Sequence, residues 1–519
     1  MGIGKDVIAK ESYAECLGKL YRTHSLKLGL ERTKMLSECF NNPGDTYKTV
    51  HVAGTNGKGS VSYKISMCLK VRNYRVGLFT SPHIFSIRER IRVNDECISE
   101  EDFVRLVNEV WRKADELDLK PTFFEIVTIV AYLFFKSKKV DYAVVETGIG
   151  GRLDATNILR KPEVVVITSI GYDHQELLGA QLSSICDEKI GIMKEGTNVV
   201  IGPSVSIYKN VFNRAKDLNC VVKVVPPEPR GESFDEENTR IAEEALKILK
   251  VQVSSDPILK SVICVKPPLR MQYLATEQIQ HVKKKISSPS GSFTNGSAMT
   301  NAMSSGMTTA MTNGIGVPLA VILDVGHNET AVDRLCQNIN CLHKGKPIRV
   351  CVSATRPRSL AIFQPLVAHF QGLLQVRAPK ATRSSETERN ETEQNATKRN
   401  DDVLYLPSVN DRTYDFGEVA DMLNSDEQIS GELRGVLLRS AEKVTSWLEG
   451  TGKGGSPGDN LYTRGTIPLI VKNAFLECCK DNSILLICGT FFMFDEVLPA
   501  FDIHSDLQDP ISMNEPSYI

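Results

Sequence analysis

Short, almost wholly apolar segments alternate with longer amphipathic segments between residues 48 and 205. The apolar segments read KTVHVAG, YRVGLFTS, VDYAVVETG, EVVVITSIG and TNVVIGP, and their length and β-branched residues predict strands. Continuous apolar strands are typical of a sheet that is covered on both faces. The segments SVSYKISMCLKV, EEDFVRLVNEVWRKADEL and FFEIVTIVAYLFFKS predict helices between them. This alternation predicts an α/β fold with a parallel sheet and right-handed crossovers.

A second α/β region follows residue 317, where VPLAVILDVG, PIRVCVSATRP, VLYLPSV and NSILLICGTFFMFDEV predict strands. Residues 285–317 are rich in Ser, Thr, Asn, Gly and Met and carry no charge after Lys285. That composition predicts a disordered low-complexity insertion, and a linker is the alternative. The polar tracts 379–402 and 450–460 predict surface loops. We therefore predict three parts, which are 1–284, 285–317 and 318–519.

Composition and charge narrow the function classes. A chain of 519 residues exceeds one ordinary core, in agreement with two domains. The formal net charge of −1 gives no overall attraction to nucleic acid or anionic membranes, and no apolar run reaches the ~20 residues of a membrane span. Thirteen scattered cysteines and a polar N-terminus favour reduced thiols in the cytoplasm, with an organellar pool left open. We expect a monomer that acts on small molecules.

The segment TVHVAGTNGKGSVSYKI, residues 49–65, looks like a phosphate-binding loop but departs from the Walker A pattern. Two residues separate Gly54 from the Gly57-Lys58 pair where the pattern requires four, and one residue separates Lys58 from Ser60. A strand enters the loop and a helix leaves it, so backbone N–H groups would face phosphate oxygens. Lys58 would add a fixed positive charge. The alternative is a glycine-rich turn with a solvated lysine.

Polar side chains follow three strands of the predicted sheet. Ser81 follows YRVGLFT, Glu146 ends VDYAVVE, and Asp173 with His174 follows VVVITSIGY. Because ligands collect beyond the carboxyl ends of parallel strands, we expect these side chains near Lys58. A hydroxyl, a carboxylate and an imidazole beside phosphate oxygens predict a Mg²⁺ site. Taken singly, each residue has a structural alternative, such as a turn cap or a core histidine.

Several motifs, in order, resemble the folate branch of the Mur ligase family, which comprises dihydrofolate synthases and folylpolyglutamate synthases. They are HVAGTNGKGS, TSPH, RERIRVN, TFFEIVT, ETGIGGRLDATN, SIGYDHQELLG, DEKIGIMK and ILDVGHN. The resemblance covers most of residues 15–205 and patches to about residue 500. It implies a P-loop-like ATPase domain over 1–284 and a Rossmann-like ligase domain over 318–519. It also accounts for the short phosphate loop, which is the form typical of that family.

The resemblance further implies cofactor and catalytic residues. ATP would be bound by Thr55, Asn56, Gly57, Lys58, Gly59, Ser60, Asn238, Arg270 and Asp324. Mg²⁺ would be held by Ser81, Glu146 and His174. The catalytic residues would be Lys58, His174 and Lys189, and Lys189 matches a lysine that is often carbamoylated and would then hold a second Mg²⁺. An ordinary lysine is the alternative, and a monovalent cation is a further candidate cofactor. The tripeptide that ends at Arg270 reads PLR where the family has PGR.

The substrate contacts implied by the resemblance lie in four segments. They are Lys27, Leu28, Gly29, Leu30, Phe123, Phe124, Glu125, Leu153, Asp154, Ala155 and His327. The substrates would be dihydropteroate or a reduced folate, L-glutamate and ATP. ATP would convert the carboxylate to an acyl phosphate, which the amine of glutamate then attacks. Closure of the two domains would exclude water from that intermediate.

The motifs TNGKGS, GGRLDATN and LGLER favour a bifunctional dihydrofolate synthase/folylpolyglutamate synthase. A monofunctional folylpolyglutamate synthase or a monofunctional dihydrofolate synthase is the alternative, and VCVSATRPRS is faintly similar to the polyglutamylating enzymes. A cell-wall Mur ligase would need UDP-sugar features, which we do not find, and a P-loop kinase or GTPase would follow the strict Walker pattern. A non-catalytic nucleotide-binding protein is a remote alternative.

Overall fold

The computed structural model describes residues 11–23, 27–228, 232–287, 316–355, 358–370, 402–406, 416–449, 466–490 and 493–510. Contacts between Cα atoms divide the chain into a first unit, residues 1–267 with 505–519, and a second unit, residues 268–504. The chain therefore leaves the first unit at Pro267 and re-enters it at Ser505. The domain limits predicted from the sequence stay a prediction. Residues 288–315 of the predicted insertion, the tract 450–460 and all but Asp402 of the tract 379–402 lie outside the described residues.

The described strands of the first unit form an eight-stranded sheet in the order β4-β3-β2-β5-β1-β6-β7-β8. The strands are β1 Lys48–Ala53, β2 Val76–Phe79, β3 Ile91–Val93, β4 Glu96–Cys97, β5 Tyr142–Glu146, β6 Val164–Ile167, β7 Asn198–Ile201 and β8 Val221–Val224. The predicted parallel sheet is confirmed, because the neighbouring strands β2, β5, β1, β6, β7 and β8 all pair in parallel. The antiparallel pair β3–β4 at the edge was not predicted, although Asn94 and Asp95 with φ of 51° and 69° are typical of a tight hairpin turn.

Helices cover both faces of this sheet. They are α1 Tyr13–Arg22, α2 Glu31–Cys39, α3 Lys58–Val71, α4 Glu100–Glu116, α5 Phe123–Ser137, α6 Gln175–Leu178, α7 Leu182–Ile190, α8 Lys209–Asp217, α9 Phe234–Ile248 and α10 Pro257–Ile263. Three of them begin with a capping box, in which a Ser or Thr and a Glu three residues later satisfy each other's backbone N–H groups; these are α1, α5 and α9.

Strand β6 shows how the sequence buries both faces. Val164 and Val166 pack into a cluster with α3, α9 and α10, whereas Val165 and Ile167 pack into a second cluster with α7 and α8. Alternate residues of a strand point to opposite faces, so an uninterrupted apolar run is required here. The carboxyl ends of β1, β5 and β6 are thereby held side by side.

The described strands of the second unit form a sheet in the order β12-β11-β13-β10-β9. The strands are β9 Gln272–Tyr273, β10 Ala320–Asp324, β11 Ile348–Ser353, β12 Asp402–Tyr405 and β13 Ile484–Gly489. The helices are α11 Thr276–Ser287, α12 Glu329–Leu342, α13 Gln364–His369, α14 Phe416–Ser425, α15 Gly431–Glu449, α16 Thr466–Asp481 and α17 Phe494–Ala500. Among the described strands, β10, β11, β12 and β13 pair in parallel, as in a Rossmann-like domain, and β9 pairs antiparallel with β10. Helix α11 includes residues 285–287, so an ordered helix takes the start of the predicted insertion.

Among the residues that the structure describes, none of the helices has the length and apolar character needed to cross a lipid bilayer.

Lys64 joins three helices of the first unit. Its side chain is fully buried on α3, and its Nζ donates to the Ile263 carbonyl oxygen at the end of α10 (2.6 Å) and pairs with Asp235 Oδ1 in the first turn of α9 (3.1 Å). An ammonium group without such partners would be costly to bury. The contacts therefore fix α9 and α10 against α3, the helix that follows the glycine-rich loop at residues 54–57.

We predict that Lys64→Met lowers the free energy of unfolding by about 2 kcal/mol, because a charge-assisted hydrogen bond is lost and Asp235 loses its partner. Lys70→Met is the matched control, since Lys70 lies on the same helix with a partly exposed side chain. Urea titration followed by circular dichroism measures both. Equal midpoints for the two variants would show that the buried contacts contribute nothing.

Candidate active site

The loop between β1 and α3 has no room for side chains at two positions. Gly54 has φ of 152°, and a Cβ built on it would lie 1.9 Å from Thr168 Oγ1. Gly57 has φ of 86°, and its Cβ would lie 2.2 Å from Asn238 Oδ1. Only glycine meets both the positive φ and the close approach. Asn238, predicted to bind ATP, therefore lies directly against the loop although it is distant in sequence.

The segment after β6 holds the loop in place. The Thr55 N–H donates to the Ser169 carbonyl oxygen (2.8 Å), and Thr55 Oγ1 accepts from the Gly171 N–H (3.0 Å). The Asn56 N–H donates to Ser169 Oγ (2.9 Å), and the Asn56 carbonyl oxygen accepts from Thr168 Oγ1 (2.6 Å). These bonds hold the loop in one conformation, and such preorganisation is what anion binding needs. Thr168 and Ser169 were not predicted; their only sequence signal is their place at the end of a core strand.

Two lysines donate to one carbonyl oxygen of the loop. Lys58 Nζ donates to the Gly54 oxygen (3.1 Å) and the Thr55 oxygen (3.2 Å), and Lys189 Nζ donates to the Gly54 oxygen (3.0 Å). Burial and, to a smaller extent, the charge of Lys58 lower the pKa of Lys189 from its ordinary 10.5 to about 7, and Asp173 opposes the shift. A large share of Lys189 is therefore an uncharged, nucleophilic amine at neutral pH.

Glu146 lies beside the start of α3. Its side chain is buried, its Oε2 accepts from the Ser81 N–H (3.1 Å), and the same oxygen lies 3.4 Å from a Cβ built on Gly59. Two of the predicted metal ligands, Ser81 and Glu146, are thus brought together next to the phosphate loop. A hydroxyl and a carboxylate at that position fit Mg²⁺, which takes few protein ligands and completes its shell with phosphate oxygens and water.

His174 contacts its neighbour Asp173, and Asp173 in turn acts on Lys189. His174 has φ of 51°, its N–H donates to Asp173 Oδ1 (3.0 Å), and its Nε2 lies 3.8 Å from the same oxygen. Asp173 in turn acts electrostatically on Lys189. In the part of the chain that the structure describes, no cluster of three or more His, Cys, Asp and Glu side chains could by itself hold a metal ion. The metal role of His174 therefore stays a prediction.

Arg270, Asp324 and His327 lie together in the second unit. Asp324 ends β10, and its carboxylate accepts from the Met271 N–H (2.7 Å) and the Gly326 N–H (2.6 Å). Burial raises the pKa of Asp324, while the charge of Arg270 opposes that shift. His327 Nδ1 lies 2.8 Å from the Val325 oxygen. Their nucleotide and substrate roles stay predictions.

The predicted substrate residues include some whose polar groups are already engaged. Glu125 is buried at the start of α5, where it caps the Thr122 N–H (2.7 Å) and pairs with Arg32 (2.9 Å). Arg32 also donates to the Lys27 carbonyl oxygen (3.2 Å), so it fixes the segment Lys27–Leu30 against α5. Arg32 was not predicted, although it lies within the LGLER motif.

Two aromatic residues begin α5. Phe123 is buried under the Arg90 guanidinium, 5.3 Å from its ring centre, and Phe124 is partly buried against Phe79, 5.8 Å between ring centroids. The Phe124 ring also lies 2.7 Å from a Cβ built on Gly148. A flat apolar surface of this kind suits an aromatic ligand.

Asp154 orders the loop that follows β5. Its Oδ2 accepts from the Gly148 N–H (2.9 Å) and the Ile149 N–H (3.0 Å), and its Oδ1 accepts from the Thr156 N–H (3.0 Å). Its acceptor sites are used within the protein, so a contact to substrate would depend on the loop that it shapes. Its neighbours Leu153 and Ala155 are half-buried and buried, respectively.

Three comparisons with known proteins bear on the class of the protein. The family model described as the Mur ligase middle domain matches residues 52–256. The dihydrofolate synthase/folylpolyglutamate synthase of Bacillus subtilis is 32% identical over 353 residues, which are 64% of this chain and 77% of that protein. The structure of E. coli FolC in complex with DHPP and ADP superposes with a TM-score of 0.64 at 20% identity, over 95% of this chain and 98% of FolC.

A further solved structure is that of a bifunctional folylpolyglutamate synthase/dihydrofolate synthase with Mn, AMPPNP and L-glutamate bound. It superposes with a TM-score of 0.61 at 22% identity, over 95% of this chain and 99% of the chain in that structure. At these identities the solved structures show the fold. The α/β fold with two sheets is thereby confirmed.

The match over residues 52–256 places the phosphate loop, Glu146 and Lys189 within a Mur ligase middle domain, so the class of the protein is that of the ATP-dependent carbon–nitrogen ligases. The Bacillus relative refines this class, because the similarity extends over most of its length. The chain belongs to the folate branch of the Mur ligase family, the dihydrofolate synthases and folylpolyglutamate synthases.

We predict that Gly57→Ala weakens binding of ADP by about 100-fold, because the added methyl group displaces the loop or Asn238. Gly196→Ala is the matched control: Gly196 also has a positive φ, 70°, but a Cβ there meets nothing within 4 Å. Fluorescence anisotropy of a labelled ADP measures affinity, and thermal unfolding measures the shared cost of the positive φ. If both variants bound ADP like the unmodified protein, the loop would not be the nucleotide site.

Proposed function

We propose that the chain is a bifunctional dihydrofolate synthase/folylpolyglutamate synthase. It adds L-glutamate to the carboxylate of dihydropteroate, and then to the γ-carboxylate of a reduced folate, at the expense of ATP. The observation that carries the proposal is the loop on which Lys58 and Lys189 meet, beside Glu146, inside a domain shared with a bifunctional relative. The bound nucleotide, Mn and L-glutamate in the solved bifunctional structure support the same set of ligands.

The reaction needs charge neutralisation more than covalent help. A carboxylate is a poor acyl donor, and phosphoryl transfer to it places negative charge on phosphate oxygens that must be stabilised. Lys58 is positioned by two loop carbonyls, and the N-terminus of α3 presents the N–H groups that follow Gly57. We infer that the residues Thr55 to Ser60 bind the triphosphate and that Asn238 closes one side of it.

Ser81 and Glu146 would hold the divalent cation, with His174 as a further ligand. The cation would neutralise the phosphates and align the γ-phosphate with the attacking carboxylate. The donors fit this role because the Glu146 carboxylate is buried next to Gly59, where a side chain would otherwise occupy the space. We propose Mg²⁺ as the physiological divalent ion, with a monovalent cation as a further candidate cofactor.

The pteroate ring would contact the aromatic surface at the start of α5. Phe124 supplies a partly exposed ring, while Arg32 and Glu125 fix the segment Lys27–Leu30 beside that helix. We propose Arg270 and Asp324 as nucleotide contacts and His327 as a substrate contact. We also propose, from the sequence, that the protein is a monomer and that it is cytoplasmic.

The split between the two activities is tested with purified protein, ATP, Mg²⁺ and radiolabelled L-glutamate. We expect incorporation with dihydropteroate as acceptor and, separately, with tetrahydrofolate. Incorporation from tetrahydrofolate alone would reduce the protein to a folylpolyglutamate synthase, and incorporation from dihydropteroate alone to a dihydrofolate synthase. Lys58→Ala serves as the control for ATP-dependent turnover, and no incorporation with either acceptor would overturn the proposal.

We further propose that Lys189 is carbamoylated. Its neutral amine would attack the carbon of CO₂, one N–H proton would leave to solvent, and the product is a carbamate anion. The support is a buried Nζ that donates to the uncharged Gly54 carbonyl oxygen, beside the positive charge of Lys58. An anion at that position would pair with Lys58 or hold a second Mg²⁺.

We predict that ¹³C-labelled CO₂ gives a carbamate resonance that is absent in Lys189→Ala and present in Lys194→Ala. Lys194 is the matched control because burial lowers its pKa to about 8 as well. At constant dissolved CO₂ the resonance should grow as pH rises through about 7, since the uncharged amine then increases. Ligase activity should fall about 1000-fold in Lys189→Ala with little change in melting temperature.

The lowered pKa of Lys189 also makes the free energy of unfolding depend on pH. Between about 7 and 10.5 the unfolded chain retains a proton on Lys189 that the folded, unmodified chain has lost. The free energy of unfolding therefore rises with pH across this window. Full activity in Lys189→Ala would refute the catalytic role.

A further inference from the structure

The last described residues of the chain form a turn on the first unit. The Leu507 N–H donates to Ser505 Oγ (3.1 Å), and the Gln508 N–H donates to the Ser505 carbonyl oxygen (3.1 Å). The turn is followed by Asp509, whose own N–H donates to the Phe85 carbonyl oxygen (3.0 Å). The segment Ser505–Pro510, here called the C-terminal strap, thus reaches the loop that follows β2. Sequence patterns assigned this segment to the C-terminal domain and gave it no role.

Four donors converge on the Asp509 carboxylate. Oδ1 accepts from Tyr13 Oη (2.7 Å) and Ser86 Oγ (2.6 Å), and Oδ2 accepts from the Ile87 N–H (2.8 Å) and Tyr21 Oη (3.4 Å). All four donors are uncharged, and Ser86 and Ile87 are buried. Burial, together with the charge of Asp509, raises the pKa of the Tyr13 phenol, so this hydroxyl keeps its proton. Both carboxylate oxygens are needed as acceptors, which an amide could not supply.

The loop held by the strap carries Ser81. Four residues lie between Ser81 and Ser86. The N–H groups of Ile84, Phe85 and Ser86 all donate to the Glu89 carboxylate (3.0, 2.7 and 2.8 Å), so this stretch is one tightly bonded turn. At its other end the Ser81 N–H donates to Glu146. A shift of Ser86 would therefore be transmitted to Ser81.

We propose that Asp509 is a positioning residue for the loop that carries Ser81, so that the C-terminal strap completes the metal and nucleotide site of the first unit. The inference rests on the proposed role of Ser81 at the cation. Asp509 does not touch the reacting atoms. It acts through Ser86 and Ile87, which are the fixed points of the turn.

The test compares the full-length variants Asp509→Asn and Asp506→Asn. Asp506 is exposed in the same strap and is the matched control. We expect Asp509→Asn to weaken Mn²⁺ binding, measured by electron paramagnetic resonance in the presence of ADP, by about 10-fold, the loss typical of groups that orient metal ligands. The Mg²⁺ concentration for half-maximal activity should rise by a similar factor, while the KM for glutamate should stay unchanged.

Hydrogen exchange separates this inference from the proposed activity. In Asp509→Asn the amides of residues 84–87 should exchange about 10-fold faster, whether or not the protein ligates glutamate. Ser86→Ala, which removes a single donor, should shift Mn²⁺ affinity in the same direction by less, and it keeps the test open if Asp509→Asn does not fold. The inference would be overturned if Asp509→Asn bound Mn²⁺ as tightly as Asp506→Asn does. It would also be overturned if Ser86→Ala and Asp509→Asn both folded and neither changed Mn²⁺ binding.

Discussion

The absence of space around the Gly54–Gly57 loop is the constraint on which the rest of the first unit depends. Thr168 fills the space beside Gly54, and Asn238 fills the space beside Gly57. These neighbours come from the end of β6 and from α9, so the loop is closed only when the sheet and the helix on its face have both formed. Rigid packing of this kind is how a protein gives a short backbone segment one conformation without help from its own side chains. The conformation of residues 54–57 is therefore a product of tertiary packing as much as of the glycine-rich sequence.

Placing two lysine Nζ atoms beside one carbonyl oxygen has an electrostatic consequence. Lys58 and Lys189 both approach Gly54 within hydrogen-bond distance, and the burial of Lys189 makes its charged form costly. The arrangement favours one charged and one neutral lysine. Because Lys58 is the more accessible of the two, it is the one suited to meet a polyanion, and Lys189 is left with the reactivity of a free amine.

Local patterns in the sequence predicted the strands, the parallel sheet and the glycine-rich turn between β1 and α3, since each depends on residues that are neighbours in the chain. Family motifs then indicated Ser81, Glu146 and Lys189, and the structure brings Ser81 to Glu146 and Lys189 to the loop. Contacts between distant segments were not predictable in this way. Ser169 supports Asn56, and Lys64 binds Asp235, through bonds between residues more than a hundred positions apart. A single sequence carries no periodic signal for such pairs.

The edge hairpin β3–β4 and the return of the chain at Ser505 were missed for a different reason. The strands of the hairpin are too short for an alternating pattern to be recognised, and the strap is fixed by one carboxylate rather than by a regular element. In both places a few hydrogen bonds decide the conformation. Hydrophobic patterning is uninformative where little apolar surface is buried.

Because the second unit is inserted between two parts of the first, the ribosome must synthesise residues 268–504 before it releases the segment that binds Phe85, Ser86 and Ile87. Domains usually fold from the N-terminus as they emerge. Here the sheet and the loop at residues 54–57 can assemble early, but the bonds to Asp509 form only after residues 268–504 have been synthesised. The order of synthesis therefore leaves the turn after Ser81 without this anchor until Asp509 has left the ribosome, and a chain terminated before that residue would lack the anchor altogether.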